Sequence, residues 1–233
     1  MTENSHHFCA TPVPLGAPLP PEQAYSLKGG ALRAALWEAG ETITVKFLDG
    51  SPALRERVKA AAKQWLDHAN LMFSFVAGGD ADVRVAFEQG NGSWSYIGKD
   101  CRQIPANEPT MNFGWLDDAS SDEDVRSVVL HEFGHAIGLI HEHQNPRDRI
   151  RWNKEAVIDD LSGPPNNWDP STIEHNMFKA YDEDQTIATP VDAGSVMMYP
   201  IPARWTEGGY FSAGFNSALS PLDKVIAREA YPR

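Results

Sequence analysis

Five positions within eleven, His131, Glu132, His135, Gly138 and His141, constrain this chain more than any other part of it. Residues four apart share a helix face, so His131 and His135 can offer two imidazoles to one ion. Glu132 stands one step round from His131, within reach of a water on that ion. Glycine accepts the left-handed backbone that ends a helix, so Gly138 predicts a stop and a bend that delivers His141 as third ligand. Three nitrogen ligands and an open position describe a catalytic zinc site; a structural site is closed by a fourth protein ligand. By composition an H-E-x-x-H run arises in roughly one chain in a hundred of this length, and the added glycine and histidine lower that about a thousandfold. Solvated histidines on a helix face would leave the placing of Gly138 unaccounted for.

The surrounding sequence supplies a scaffold for such a helix. Ser121 is a cap with Asp122, Glu123 and Asp124 behind it, where carboxylates suit the helix dipole. Val125, Val128, Val129, Phe133, Ala136 and Ile137 give it a buried face. Upstream, Ile43, Val45 and Phe47 alternate with polar residues as in a half-buried strand. Ser51-Pro52 then opens an amphipathic helix over 52–69, on Leu54, Val58, Ala61, Ala62, Trp65 and Ala69. Phe73 with Phe75, and Val83, Val85 and Phe87, predict two more strands; short ones fit Ser93–Ile97 and Thr110–Phe113. Strand, long helix and strand in succession imply a crossover with the helix packed on the sheet. Past residue 150 the pattern turns to loops and short helices at Lys154–Asp160, Pro170–Lys179 and Pro221–Ala230. Residues 1–30, with Pro12, Pro14, Pro18, Pro20 and Pro21 and a closing Gly29-Gly30, read as an extended arm ahead of one domain at 31–233.

The stretch from His131 to His141 resembles the extended zinc motif of the metzincins, and His141-Glu142-His143 is similar to the astacin family in particular. Ser195-Val196-Met197-Met198-Tyr199 resembles the astacin methionine turn, with Met197 as the turn methionine; Met198 stands where the family commonly has histidine. The resemblance is specific at 131–143 and 195–199. It implies an α+β fold of metzincin type: a twisted mixed sheet with two long helices above a cleft, and an irregular, helical lower lobe. It further implies a metalloendopeptidase with one Zn2+ on His131, His135 and His141 and with Glu132 as general base. Tyr199 matches a tyrosine that serves as an extra ligand and swings away to stabilise the oxyanion. Glu142 matches a glutamate that meets the mature N-terminus once a propeptide is removed.

A protein or peptide is the substrate expected from this resemblance. An exposed edge at Thr110–Phe113 or Ser93–Ile97 would bind it by strand addition, and Pro200-Ile201-Pro202 is the expected wall of a primed-side pocket. The competing reading is a catalytically silent zinc-containing module that binds peptides; the presence of Glu132 argues against it. Zinc-dependent hydrolysis of something other than peptide is a third.

Three readings stand for the cysteines: two free thiols, a Cys9–Cys101 bridge, or Cys9 as a latency ligand. A thiolate suits zinc, and Cys9 in the arm can fill the open position, as the propeptide cysteine does in matrix metalloproteinases. Histidines 68 and 175 are expected at the surface or its boundary, and His143 beside the site or exposed. A net charge of −12 argues against nucleic acid or an anionic membrane surface as the main partner. No apolar run approaches a membrane span, no secretory leader is visible at Met1–Cys9, and a monomer is expected. A cytoplasmic location, leaderless export or a lost leader all fit.

Overall fold

The computed structural model describes residues 9, 11–12, 31–145, 149–164, 166–179, 186–187 and 189–233. It opens with a short strand β1 (Ala31–Leu32) and continues into β2 (Thr42–Phe47), whose Ile43 and Val45 are fully buried. Helix α1 (Pro52–Ala62) starts where Ser51 Oγ accepts from the Leu54 amide at 3.1 Å, with proline at its first position. The predicted 52–69 helix tightens to a 3-10 turn over Lys63–Asp67. This turn carries Trp65, whose indole donates to the Leu130 carbonyl at 2.9 Å.

Strands β3 (Met72–Val76), β4 (Val83–Ala86), β5 (Ser93–Ser95) and β6 (Met111–Phe113) complete a mixed sheet in the order β3-β2-β4-β6-β5. The predicted crossover holds, since β2 lies parallel to β3 as well as to β4. Of the two proposed edges, β6 is interior, paired on both sides, whereas β5 forms the border and runs antiparallel to it. Helix α2 (Asp122–Ala136) packs beside α1 against one core. Beyond it come α3 (Lys154–Leu161), α4 (Pro170–Ile173) and α5 (Pro221–Ala230). The helix expected over Pro170–Lys179 splits, α4 widening into a π turn at Glu174–Phe178. A second two-residue strand, β7 (Thr186–Ile187), pairs with β1. Among the described residues no helix is long and apolar enough to cross a membrane.

Two main cores result, beside a small cluster of Leu32, Ala35, Ile97 and Ile140. The upper one joins sheet, α1 and α2; the lower gathers Ile150, Val157, Leu161, Ile173, Met177 and Trp205. Cys101 belongs to the upper core and Cys9 to the lower, and both are free, so the alternative of a bridge is set aside.

Arg84, on the central strand β4, is buried and answered by backbone alone. Its guanidinium donates to the carbonyls of Glu108 (2.6 Å), Ala81 (3.0 Å), Ile104 (3.1 Å) and Pro105 (3.2 Å). A buried acceptor stripped of its partner costs about 1–3 kcal/mol. With several lost together, Arg84→Ala is expected to lower unfolding free energy by about 3 kcal/mol or more, read as an earlier urea midpoint at unchanged slope.

Candidate metal centre

Helix α2 begins where Ser121 Oγ accepts from the Asp124 amide at 3.1 Å. Its far end is fixed by donors distant in sequence. The Trp37 indole donates to the Ala136 carbonyl at 2.8 Å, the Tyr231 hydroxyl to that of Ile137, and the Leu32 amide to that of Gly138 at 2.8 Å. Carbonyls left over at a helix end need partners, and here the fold supplies three in a row. Gly138 adopts φ 92°, the left-handed stop expected of it. The chain then returns beneath the helix and presents His141.

The three predicted histidines meet. His135 Nε2 lies 3.2 Å from His131 Nε2 and 3.2 Å from His141 Nε2. On the opposite side of two rings, His131 Nδ1 donates to the Val196 carbonyl (2.7 Å) and His135 Nδ1 to that of Leu139 (2.9 Å). Those bonds place the proton on Nδ1, so the Nε2 lone pairs face one another. Burial drives His131 down to about 4, and His135 and His141 well below the ordinary histidine value, keeping the rings neutral. Neutral imidazoles whose lone pairs converge are a set of metal donors. Cys9 Sγ joins them: the four ligand atoms all lie within 4.8 Å of one another.

Glu132 is fully buried beside this cluster. Its Oε2 accepts from Cys9 Sγ at 3.4 Å, while Oε1 has no partner. Burial pushes its carboxyl up to about 8, opposed by the hydrogen bond from Cys9. The Cys9 thiol is raised too, by burial first and then by the Glu132 charge.

The methionine turn runs under the site and joins the two cores, Met197 packing in the upper and Met198 and Tyr199 in the lower. A Cβ on Gly134 would stand 2.3 Å from Met197 Sδ, so glycine leaves room for the methionine side chain against the helix between its two histidines, and a larger residue would push it aside. Asp223 anchors the turn: it accepts from Ser195 Oγ (2.6 Å) and from the Val196 amide (3.0 Å) while completing a capping box with Ser220 on α5. Tyr199 is buried, its ring centroid 4.3 Å from that of His141 and 4.5 Å from that of His143. Its hydroxyl donates to the Cys9 carbonyl. Glu142 accepts from the Asn145 side chain and the Asp192 amide, both at 3.1 Å. His143 is buried, bonded through Nε2 to the Asn176 carbonyl at 2.7 Å.

A small, partly open pocket lies beside Glu132, walled by Trp115, Val128, Val196, Met198, Pro200 and Phe215. The polar groups of Ser127 and Asn216 on its lining are already engaged with backbone carbonyls. Of the proposed wall Pro200-Ile201-Pro202, only Pro200 lines it; Ile201 is buried in the lower core.

Sequence reasoning thus placed the histidines, Glu132, Gly138, Met197 and Tyr199 together; for Cys9 it left three readings open, and the structure brings its sulfur among the histidines. It missed Trp37, Tyr231 and Asp223. Asp223 carried a faint sign, standing three residues after Ser220 as a helix cap; the two aromatic residues carried none.

A family model described as Astacin, a family of peptidases, matches residues 31–204. Among curated proteins, the zinc metalloproteinase nas-38 of Caenorhabditis elegans is 27% identical over 194 residues, 81% of this chain and 22% of that protein. Human matrix metalloproteinase-17 is 34% identical over 107 residues, 40% of this chain and 18% of that protein. The chain spans only about a fifth to a third of the length of the curated relatives it matches. Among solved structures, one of myroilysin superimposes with a TM-score of 0.85 at 44% identity, covering 88% of this chain and 99% of that one. The hatching enzyme HCE-1 of the medaka fish Oryzias latipes shares the fold, with a TM-score of 0.57 at 19% identity over 87% of this chain and 96% of that one.

Proposed function

The chain belongs to the astacin family of peptidases, and from that premise we propose that it is a zinc-dependent metalloendopeptidase held latent by its own N-terminal arm. The observation that carries this reading is the convergence of three neutral Nε2 atoms beside a carboxylate oxygen of Glu132 that has no partner. His131, His135 and His141 would hold the ion, which when bound polarises the scissile carbonyl and acidifies a water. Glu132 takes the proton from that water through Oε1 and returns it to the leaving nitrogen. Its raised affinity for a proton, set by burial, suits a group that must accept and release one near neutral pH. The Tyr199 hydroxyl already donates to a carbonyl, that of Cys9, in the cleft. A substrate carbonyl in that place would receive the same bond as negative charge builds on its oxygen.

The arm then plays the inhibitor. Its sulfur stands among the ligand nitrogens and against Glu132, and its carbonyl takes the Tyr199 hydroxyl. Two residues on, the Thr11 amide donates to Asn176 Oδ1 at 3.2 Å. Residues 1–30 on this reading are a pro-segment and 31–233 the catalytic domain. The border strand β5 has a strand neighbour on one side only and its Ser95 backbone meets Cys9 of the arm; an extended substrate would take that edge in place of the arm, beside the apolar pocket that Glu132 lines. Because Glu132 serves the leaving nitrogen, that cavity receives the side chain just beyond the cut.

Zinc analysis and casein digestion, run on the wild type and on Cys9→Ala, test the reading. One zinc per chain is expected, with casein cleavage by Cys9→Ala that stops on chelation and returns with zinc. Cuts mapped by mass spectrometry should fall before large apolar residues. Bound zinc without cleavage by either chain would leave the silent peptide-binding module standing instead.

A further inference from the structure

Each metal-facing imidazole needs an acceptor for the proton on its other nitrogen, because a buried N–H without a partner is costly. His131 and His135 have backbone carbonyls for this. His141 does not: its Nδ1 is buried and has no hydrogen-bond partner among the described residues. Three other buried atoms of the site are equally unanswered among the described residues, Glu132 Oε1, His143 Nδ1 and Gln144 Oε1, and the last stands three residues further along the same short turn. The orientation of that amide is not arbitrary. Gln144 Nε2 donates to the His175 carbonyl at 2.9 Å, which leaves Oε1 as the end turned away from His175. A lone donor and a lone acceptor thus sit on one buried turn, closed by the Gln144 amide donating to the His141 carbonyl at 3.1 Å.

We propose that Gln144 is the positioning residue of the third histidine, its Oε1 accepting the Nδ1 proton of His141 and so holding Nε2 toward the other two rings. His143, the other neighbour with an unanswered ring nitrogen, cannot serve. Its Nε2 proton goes to the Asn176 carbonyl, and its ring stacks on that of His141 (centroids 5.3 Å, planes 22° apart), so the Nδ1 lone pair, lying in its own ring plane, is not aimed at the His141 N–H. Partners of this kind fix the tautomer and raise the basicity of a ligand, and their loss typically weakens metal binding about 10- to 100-fold. The inference rests on the metal-site reading above and adds a residue to it.

The test is zinc affinity by chelator competition in the full chain, in a Cys9→Ala background so that the thiolate does not mask the difference. Gln144→Met, which keeps length but loses both polar ends, should bind zinc about 10- to 100-fold more weakly. Gln144→Glu keeps an acceptor for His141 and loses the donor to His175, so its affinity should stay at the parent level or rise. Equal weakening in both would mean that the bond to His175 is what matters, and would overturn the proposal; so would unchanged affinity in Gln144→Met. Should either variant fail to fold, NMR of the zinc-loaded parent with labelled histidine decides. A slowly exchanging His141 Nδ1 proton close to the Gln144 side chain supports the assignment, and a rapidly exchanging one ends it. If the parent itself takes up no zinc, the metal reading falls and this assignment with it.

Discussion

Replacing Glu132 by glutamine is expected to abolish casein cleavage while leaving zinc in place. General acid–base groups contribute about 10²- to 10⁴-fold, so the loss measured in Cys9→Ala, where the cleft is open, should fall in that range. The dissociation is expected because Glu132 is not among the atoms that converge with the imidazoles; one of its oxygens accepts from Cys9 and the other is buried without a partner among the described residues. Glutamine preserves the shape and can still touch a water, but it cannot hold the proton between the two halves of the reaction. Zinc content by atomic absorption and steady-state kcat on a quenched peptide are the paired measurements. Loss of metal together with activity would assign Glu132 to the ligand set and remove it from the role of base.

Cys9→Ala should move activity in the opposite direction. With the sulfur gone, the arm keeps the Tyr199 bond to its carbonyl and the contact of Thr11 with Asn176. Each 1.4 kcal/mol of arm binding removed multiplies the open fraction about tenfold, so a rise of about tenfold or more in peptide cleavage is expected over the latent wild type. A thiol reagent gives the companion result. Cys9 in the zinc-loaded wild type should react slowly and should react faster once zinc is chelated, since a coordinated sulfur is a poor nucleophile. Cys101, buried in the upper core with its thiol pushed up to about 12 by burial, should stay slow in both states.

Much of this was legible in the sequence because it depends on local rules. Histidines four apart, a glycine at the bend and a serine cap act within a turn or two, and those positions hold. The strands were legible for the same reason: Ile43, Val45 and Phe47 alternate, and alternation fixes a face. Pairing was harder. Nothing within Thr110–Phe113 tells that β6 lies inside the sheet and β5 outside it, because both are short and both are followed by turns. The parts that escaped are long-range. Trp37 and Tyr231 come from opposite ends of the domain to close the same helix terminus, and neither stands in a pattern that announces it. The length of the first helix was overread because an α-helix and a 3-10 turn share an apolar face for a few residues, and the need of Trp65 to reach Leu130 decided between them.

On the proposed latency reading, the tether behind Cys9 carries a kinetic consequence. An inhibitor joined to its own target works at an effective concentration that short flexible linkers place in the millimolar range. Few contacts are then enough to keep a cleft closed, and the described part of the arm has few: a sulfur, a carbonyl and the pair at Asn176. One cut between Thr11 and Ala31 converts that local concentration into the bulk concentration of a released peptide, which is lower by orders of magnitude. Occupancy collapses on dilution alone, with no change in any contact. Activation would then proceed as a threshold: each freed molecule able to cut the tether of another makes the rate of release grow with the amount already released, so a time course should show a lag that shortens as total protein rises.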